Sequence, residues 1–259
     1  MHVWAVANQK GGVGKTTSTV CLAGLLAEQG HKVLMVDLDP HGSLTSYFKY
    51  DPDDISLSVY DLFMQQGKVP EDLPKEIIVP TCQPGVDLFP ASTALATLER
   101  KVATQGGMGL VISKSLATLW DQYQYVIIDT PPILGVLMIN ALAAAQKLLI
   151  PVQTEYLAVK GLERMTHTLN MVMQSTKKQL PFTIIPTLYD RRTHASLNAL
   201  KKIRELYGEQ VFAESIPVDT RFRDASELGR MPSQTDPDGR GVRVYRHLLS
   251  NLLKTASAA

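Results

Sequence analysis

A chain of 259 residues with 45% apolar side chains is long enough for one large α/β domain and rich enough for a sizeable core. Lys and Arg number 26 against 25 Asp and Glu, a formal charge of +1 that excludes a strongly acidic or polyanion-binding whole. Two cysteines, Cys21 and Cys82, in no metal-ligand spacing exclude a disulfide scaffold and a cysteine zinc site.

The opening residues lack the basic segment, apolar core and cleavage site of a leader. No apolar run approaches the roughly 20 residues that span a bilayer, so a cytoplasmic location is expected. Residues 3–7 form a short, almost wholly apolar run and read as a buried strand. A glycine-rich loop follows, then a helical pattern at 17–28 and a second strand at 33–37. Residues 50–84 are richer in Pro, Asp and Gln and read as a variable surface excursion. Beyond them strands are expected at 86–89, 126–129, 148–152, 183–187 and 211–216. Helices are expected at 110–120, 138–145, 162–175, 197–207 and 242–253, with a frayed tail at 255–259. Short apolar runs alternating with helical stretches predict βαβ units: a single α/β domain over 1–259, with one doubly wound, mostly parallel sheet flanked by helices.

The loop reads Asn8-Gln9-Lys10-Gly11-Gly12-Val13-Gly14-Lys15-Thr16-Thr17. Gly11, Gly12 and Gly14, around Val13, allow tight turns that aim successive amide donors at phosphate oxygens. The helix that follows adds the free amides and positive dipole end of its first turn, at Thr16 and Thr17. Lys15 supplies a point charge for the β and γ phosphates, and the Thr16 hydroxyl is a hard oxygen ligand for Mg²⁺. A P-loop ATPase with ATP and Mg²⁺ as cofactors is expected. Two strands end in acids beside this loop, at Asp37-Leu38-Asp39-Pro40-His41-Gly42 and at Ile128-Asp129-Thr130-Pro131-Pro132. Carboxylates at strand carboxyl ends lie where open α/β sheets bind ligands.

The loop departs from the usual G-x-x-x-x-G-K-S/T. Gln9 replaces its first glycine, and Lys10 is an extra lysine. In this it resembles the deviant Walker A loop of the ParA/MinD ATPases. That resemblance implies that Lys10 reaches across a two-fold interface to the partner's phosphates, so that ATP binding forms a homodimer. Asp39 lies in a segment similar to the family's D-x-D-P-Q-G switch, and is implied to stand near the metal and orient the attacking water. His41 replaces the usual Gln. Asp129 is similar to the Walker B acid and is implied to hold Mg²⁺ through water. Residues 149–161 (LIPVQTEYLAVKG) and 187–193 (TLYDRRT) continue the match. Residues 216–221 sit where ParA proteins contact adenine, which makes Pro217 and Asp219 base-edge candidates. Only 50–84 lacks a family pattern.

Three surfaces compete as what the switch grips. Residues 190–259 hold 12 basic against 9 acidic side chains, while 1–189 hold 14 against 16. Arg192 and Arg221 align with arginines that ParA proteins place on non-specific DNA. Arg191, Lys201, Lys202, Arg204, Arg223 and Arg243 are expected nearby. Residues 242–254 carry an apolar stripe beside basic residues, as MinD's membrane anchor does; packing on the domain is the preferred account, and a membrane is not expected. The third surface is for a protein partner alone. Residues 3–10 and Asp39-Pro40-His41 resemble the ParC subgroup, which positions chemotaxis arrays at the cell pole. Family resemblance also implies slow hydrolysis stimulated by a partner protein, on the nucleoid or at the pole. A metabolic ATP-dependent enzyme of the same fold is the alternative class. It is disfavoured because no second substrate pocket is legible.

Overall fold

The computed structural model describes residues 1–101 and 108–257. Its strands are β1 (His2–Val6), β2 (Val33–Asp37), β3 (Val79–Pro80), β4 (Val86–Phe89), β5 (Tyr125–Asp129), β6 (Lys147–Gln153) and β7 (Phe182–Thr187). They form one sheet in the order β3-β4-β2-β5-β1-β6-β7, parallel except for β3 against β4. The order places β1 between β5 and β6, so the loops leaving these three neighbours meet at the carboxyl edge of the sheet.

Alternation within each strand feeds two cores. Val3, Ala5, Leu34, Val36, Val126 and Ile128 face one layer, and Trp4, Val6, Val33, Met35, Tyr125 and Ile127 the other. Both faces are covered, which is why these strands read as continuous apolar runs. The first layer holds α3 (Val59–Met64), α6 (Val111–Ala117), α7 (Val136–Ala144), α8 (Tyr156–Thr176) and α9 (His194–Tyr207). The second holds α1 (Lys15–Glu28), α2 (Ser43–Tyr47), α11 (Pro232–Thr235) and α12 (Arg240–Ser257). Shorter or peripheral helices are α4 (Leu73–Glu76), α5 (Ala96–Lys101) and α10 (Arg221–Leu228).

Three expectations change. Residues 211–216 are no strand: isolated bridges at Ile184–Val211 and Tyr189–Pro217 are all that forms. Phe212 and Ile216 donate their amides to the carbonyls of Ile184 and Pro186, but Pro186 has no amide to return. Residues 50–84 are more than a surface excursion. Ser58 and Asp61 close a capping box on α3, and Val59, Leu62, Phe63 and Ile77 are buried in the core. The tail expected to fray is helical to Ser257; residues 258 and 259 lie outside the described residues. The apolar stripe of α12 is buried in the domain through Val242, Tyr245, Leu248, Leu249 and Leu252. Among the described residues no helix is long and apolar enough to cross a membrane.

Candidate nucleotide site

The loop between β1 and α1 is fixed from outside. Asn8 donates its side-chain amide to Pro151 O at 2.7 Å and accepts the Lys10 amide at 3.1 Å. Thr187 donates its hydroxyl to the Val13 carbonyl at 2.8 Å. Gly12 (φ 72°) and Gly14 (φ 90°) take the left-handed conformation on either side of the buried Val13. No side chain caps α1, so its first amides stay available to an anion.

Four charged groups converge on that helix end. Lys15 is nearly buried and its Nζ donates to Lys10 O at 3.3 Å. Desolvation holds its pKa below the ordinary lysine value, while Asp129 and Asp39 act in the opposite sense. Thr16 donates its hydroxyl to Asp129 Oδ2 at 2.6 Å, so two of the three metal candidates, Thr16, Asp39 and Asp129, form one hard-oxygen pair. Burial, and after it the charge of Asp37, push the Asp129 carboxyl up to about 8. Asp37, pushed to about 6 by burial, accepts the Thr45 amide and hydroxyl, both at 2.8 Å, and the Asp39 amide at 3.0 Å. It organises the segment from Asp39 to Thr45, a role that the sequence reading missed. Asp39 Oδ1 meets His41 Nδ1 at 2.9 Å, and accepts the His41 amide at 3.0 Å.

Lys10 turns back on its own chain, where its ammonium pairs with Glu155 and approaches Gln153 Oε1 at 3.4 Å. Beside it the carboxyl edge exposes Ile133 and Leu134 after β5, and Tyr156 and Leu157 after β6. A pocket next to Gly14 and Thr17 is lined by Pro217, Asp219, Phe222, Arg223 and Tyr245, so both base-edge candidates sit against the phosphate loop. Asp219 is occupied there: it accepts Arg221 Nε at 2.8 Å and Nη2 at 2.9 Å.

The DNA candidates are exposed but paired. Arg221 also meets Asp236 at 2.7 Å, and Arg192 meets Asp190 at 2.7 Å. The Tyr189–Pro217 bridge brings their two loops side by side.

Residues 1–182 match the AAA domain family. The sporulation initiation inhibitor protein Soj of Bacillus subtilis is 34% identical over 94% of this chain and 95% of its own. This chain belongs to the ParA family of deviant Walker A ATPases. The chromosome partitioning protein ParA of Myxococcus xanthus is 33% identical, over 98% of this chain and 88% of its own. A solved structure named cobyrinic acid a,c-diamide synthase, from Mycobacterium smegmatis with bound ATP analogue and magnesium, superimposes with a TM-score of 0.84. It is 36% identical and covers 99% of this chain and 96% of that one. This ParA-family chain thus matches its relatives well past the phosphate loop, through the segment that carries Glu155 and the one that carries Arg192.

Proposed function

We propose that the chain is an ATP-driven pairing switch that hydrolyses ATP slowly to partition or position a cellular cargo, with the nucleoid as its matrix. The observation that carries this reading is Lys10. It lies at the carboxyl edge of the sheet, between the phosphate loop and the exposed lip of Ile133, Leu134, Tyr156 and Leu157. A cation and apolar side chains flanking a triphosphate are what a second copy needs in order to bury that nucleotide.

In this reading the amides of Gly11 to Thr17 and the Lys15 ammonium cradle the phosphates, and Pro217 and Asp219 border the base. Thr16 and Asp129 hold Mg²⁺, which when bound neutralises phosphate charge. Asp39 keeps Oδ2 clear of His41 and orients the attacking water. Lys10 leaves Glu155 and turns to the neighbour's phosphates, so that pairing and nucleotide occupancy are one equilibrium. A stimulating partner protein then sets the lifetime of the pair. Partition is preferred to polar chemotaxis-array positioning because the Myxococcus xanthus ParA relative carries chromosome partitioning in its name. An ATP-dependent synthase is the second reading, favoured by the name of the mycobacterial neighbour.

The test is the size of Asp39→Ala with ATP and Mg²⁺, alone and with plasmid DNA, with Lys15→Ala as the unliganded control. Asp39→Ala is expected to run as a dimer that turns over at least tenfold more slowly than wild type, and to shift with DNA. A monomer under saturating ATP would sink the switch. Turnover that starts only when an acid and an amide donor are added would favour the synthase.

A further inference from the structure

A second concave site lies between α9, the 214–215 turn and the first turns of α12. This cavity, of about 500 Å³, shares no lining residue with the nucleotide pocket. Arg204, Arg240, Arg243, His247, Glu214 and Ser215 line it. Arg240 and Arg243 stand one turn apart on α12 and therefore share a face. Arg204 donates Nη2 to Ala213 O at 2.6 Å, which fixes the direction of its guanidinium fork. The single carboxylate on the wall, Glu214, is taken by His247 Nδ1 at 2.7 Å. Arg192, Arg221 and Arg246 all have acidic partners, whereas Arg240 and Arg243 belong to none of the ion pairs among the described residues. The Ser215 hydroxyl on the same wall is buried without a hydrogen-bond partner.

Three guanidinium groups around one hollow, with its carboxylate already engaged, leave an excess of positive charge, with the planar donor forks of Arg240 and Arg243 outside any ion pair among the described residues. Such forks match tetrahedral oxyanions, and they bind phosphate with paired hydrogen bonds. We propose that this cavity is a second phosphate-binding site, in which Arg204, Arg240 and Arg243 hold the phosphate group of a ligand other than the bound nucleotide. That group belongs either to a DNA backbone or to a free phosphate-bearing small molecule.

The test uses the full chain saturated with MgADP, which keeps the phosphate loop filled. Inorganic phosphate is titrated while the arginine Nε–Hε resonances are followed, and the titration is repeated on Asp39→Ala held in MgATP, without and with a short DNA duplex. At least two arginine resonances are expected to move saturably. The double variant Arg240→Gln/Arg243→Gln should weaken this response at least tenfold without altering ADP affinity or the melting temperature. Arg204→Gln gives an independent second reading. A duplex that abolishes the phosphate response assigns the site to a DNA backbone; a response that survives the duplex assigns it to a free phosphate, and both keep the site. No saturable movement, or an unchanged response in both variants, would overturn it. Failure of Asp39→Ala held in MgATP to bind DNA at all would remove the nucleoid reading while leaving the phosphate titration intact.

Discussion

Asp129 carries the heaviest electrostatic load of any side chain in the site. Burial and the neighbouring Asp37 raise its carboxyl to about 8, whereas an unfolded chain gives about 3.9. The folded state therefore holds the proton more tightly. Its contribution to stability is full below about pH 4 and is lost as pH climbs through 8. Asp129→Asn removes this dependence and keeps an acceptor for the Thr16 hydroxyl. Without nucleotide, the variant should gain stability over wild type steadily between about pH 5 and pH 8, measured by urea midpoints. A difference that stays flat with pH would show the acid to be ionised in the folded protein. Asp37, held at about 6, is common to both proteins and cancels. That Lys15, Thr16 and Asp129 would lie together was legible because the glycine-rich loop and the acid-ended strands meet at one edge of an open parallel sheet. The partner of Lys10 was not: Glu155 lies 145 positions away, and no spacing rule connects them. Asp37 read as a mere strand end because its ligand Thr45 belongs to the following helix.

Between elements, the closing helix is tied to the phosphate-loop helix by a buried hydroxyl pair. Ser18 spends its proton on Gly14 O at 2.8 Å, so Tyr245 must donate to Ser18 Oγ at 2.8 Å. Tyr245→Phe leaves a lone pair unpaired and no orphan donor. The cost should be about 0.5–1.5 kcal/mol, or about 1–3 °C in melting temperature. Tyr245 also walls the base pocket, so ADP should protect the variant less than it protects wild type. Equal protection by thermal shift would confine Tyr245 to packing. At this scale the sequence was a good guide wherever a strand is buried on both faces, because continuous apolar runs have one explanation there. It failed at 211–216, where Glu214 and Ser215 interrupt the apolar run and the neighbouring β7 presents Pro186 instead of a donor. It also undervalued 50–84, where polar spacing hides four core side chains. No local period marks a helix as short as α3.

Across the whole molecule, the nucleoid reading asks a nearly neutral protein to grip a polyanion. Each protomer offers Arg192 and Arg221 from adjoining loops, so pairing raises the phosphate contacts from about two to about four. On the counterion-release relation, the slope of log affinity against log salt should steepen from about −1.8 to about −3.6. Both arginines are already engaged, with Asp190 and with Asp219 and Asp236. A DNA phosphate must displace these carboxylates, which lowers affinity in one protomer and makes retention depend on two acting together. Salt titrations of duplex binding, with Asp39→Ala held in ATP against Lys15→Ala, should therefore give a paired form both tighter and about twice as steep. Arg221→Glu placed in the Asp39→Ala background should return the slope towards the unpaired value. Identical slopes for the two forms would take DNA out of the mechanism and leave a protein partner as the surface that the switch addresses.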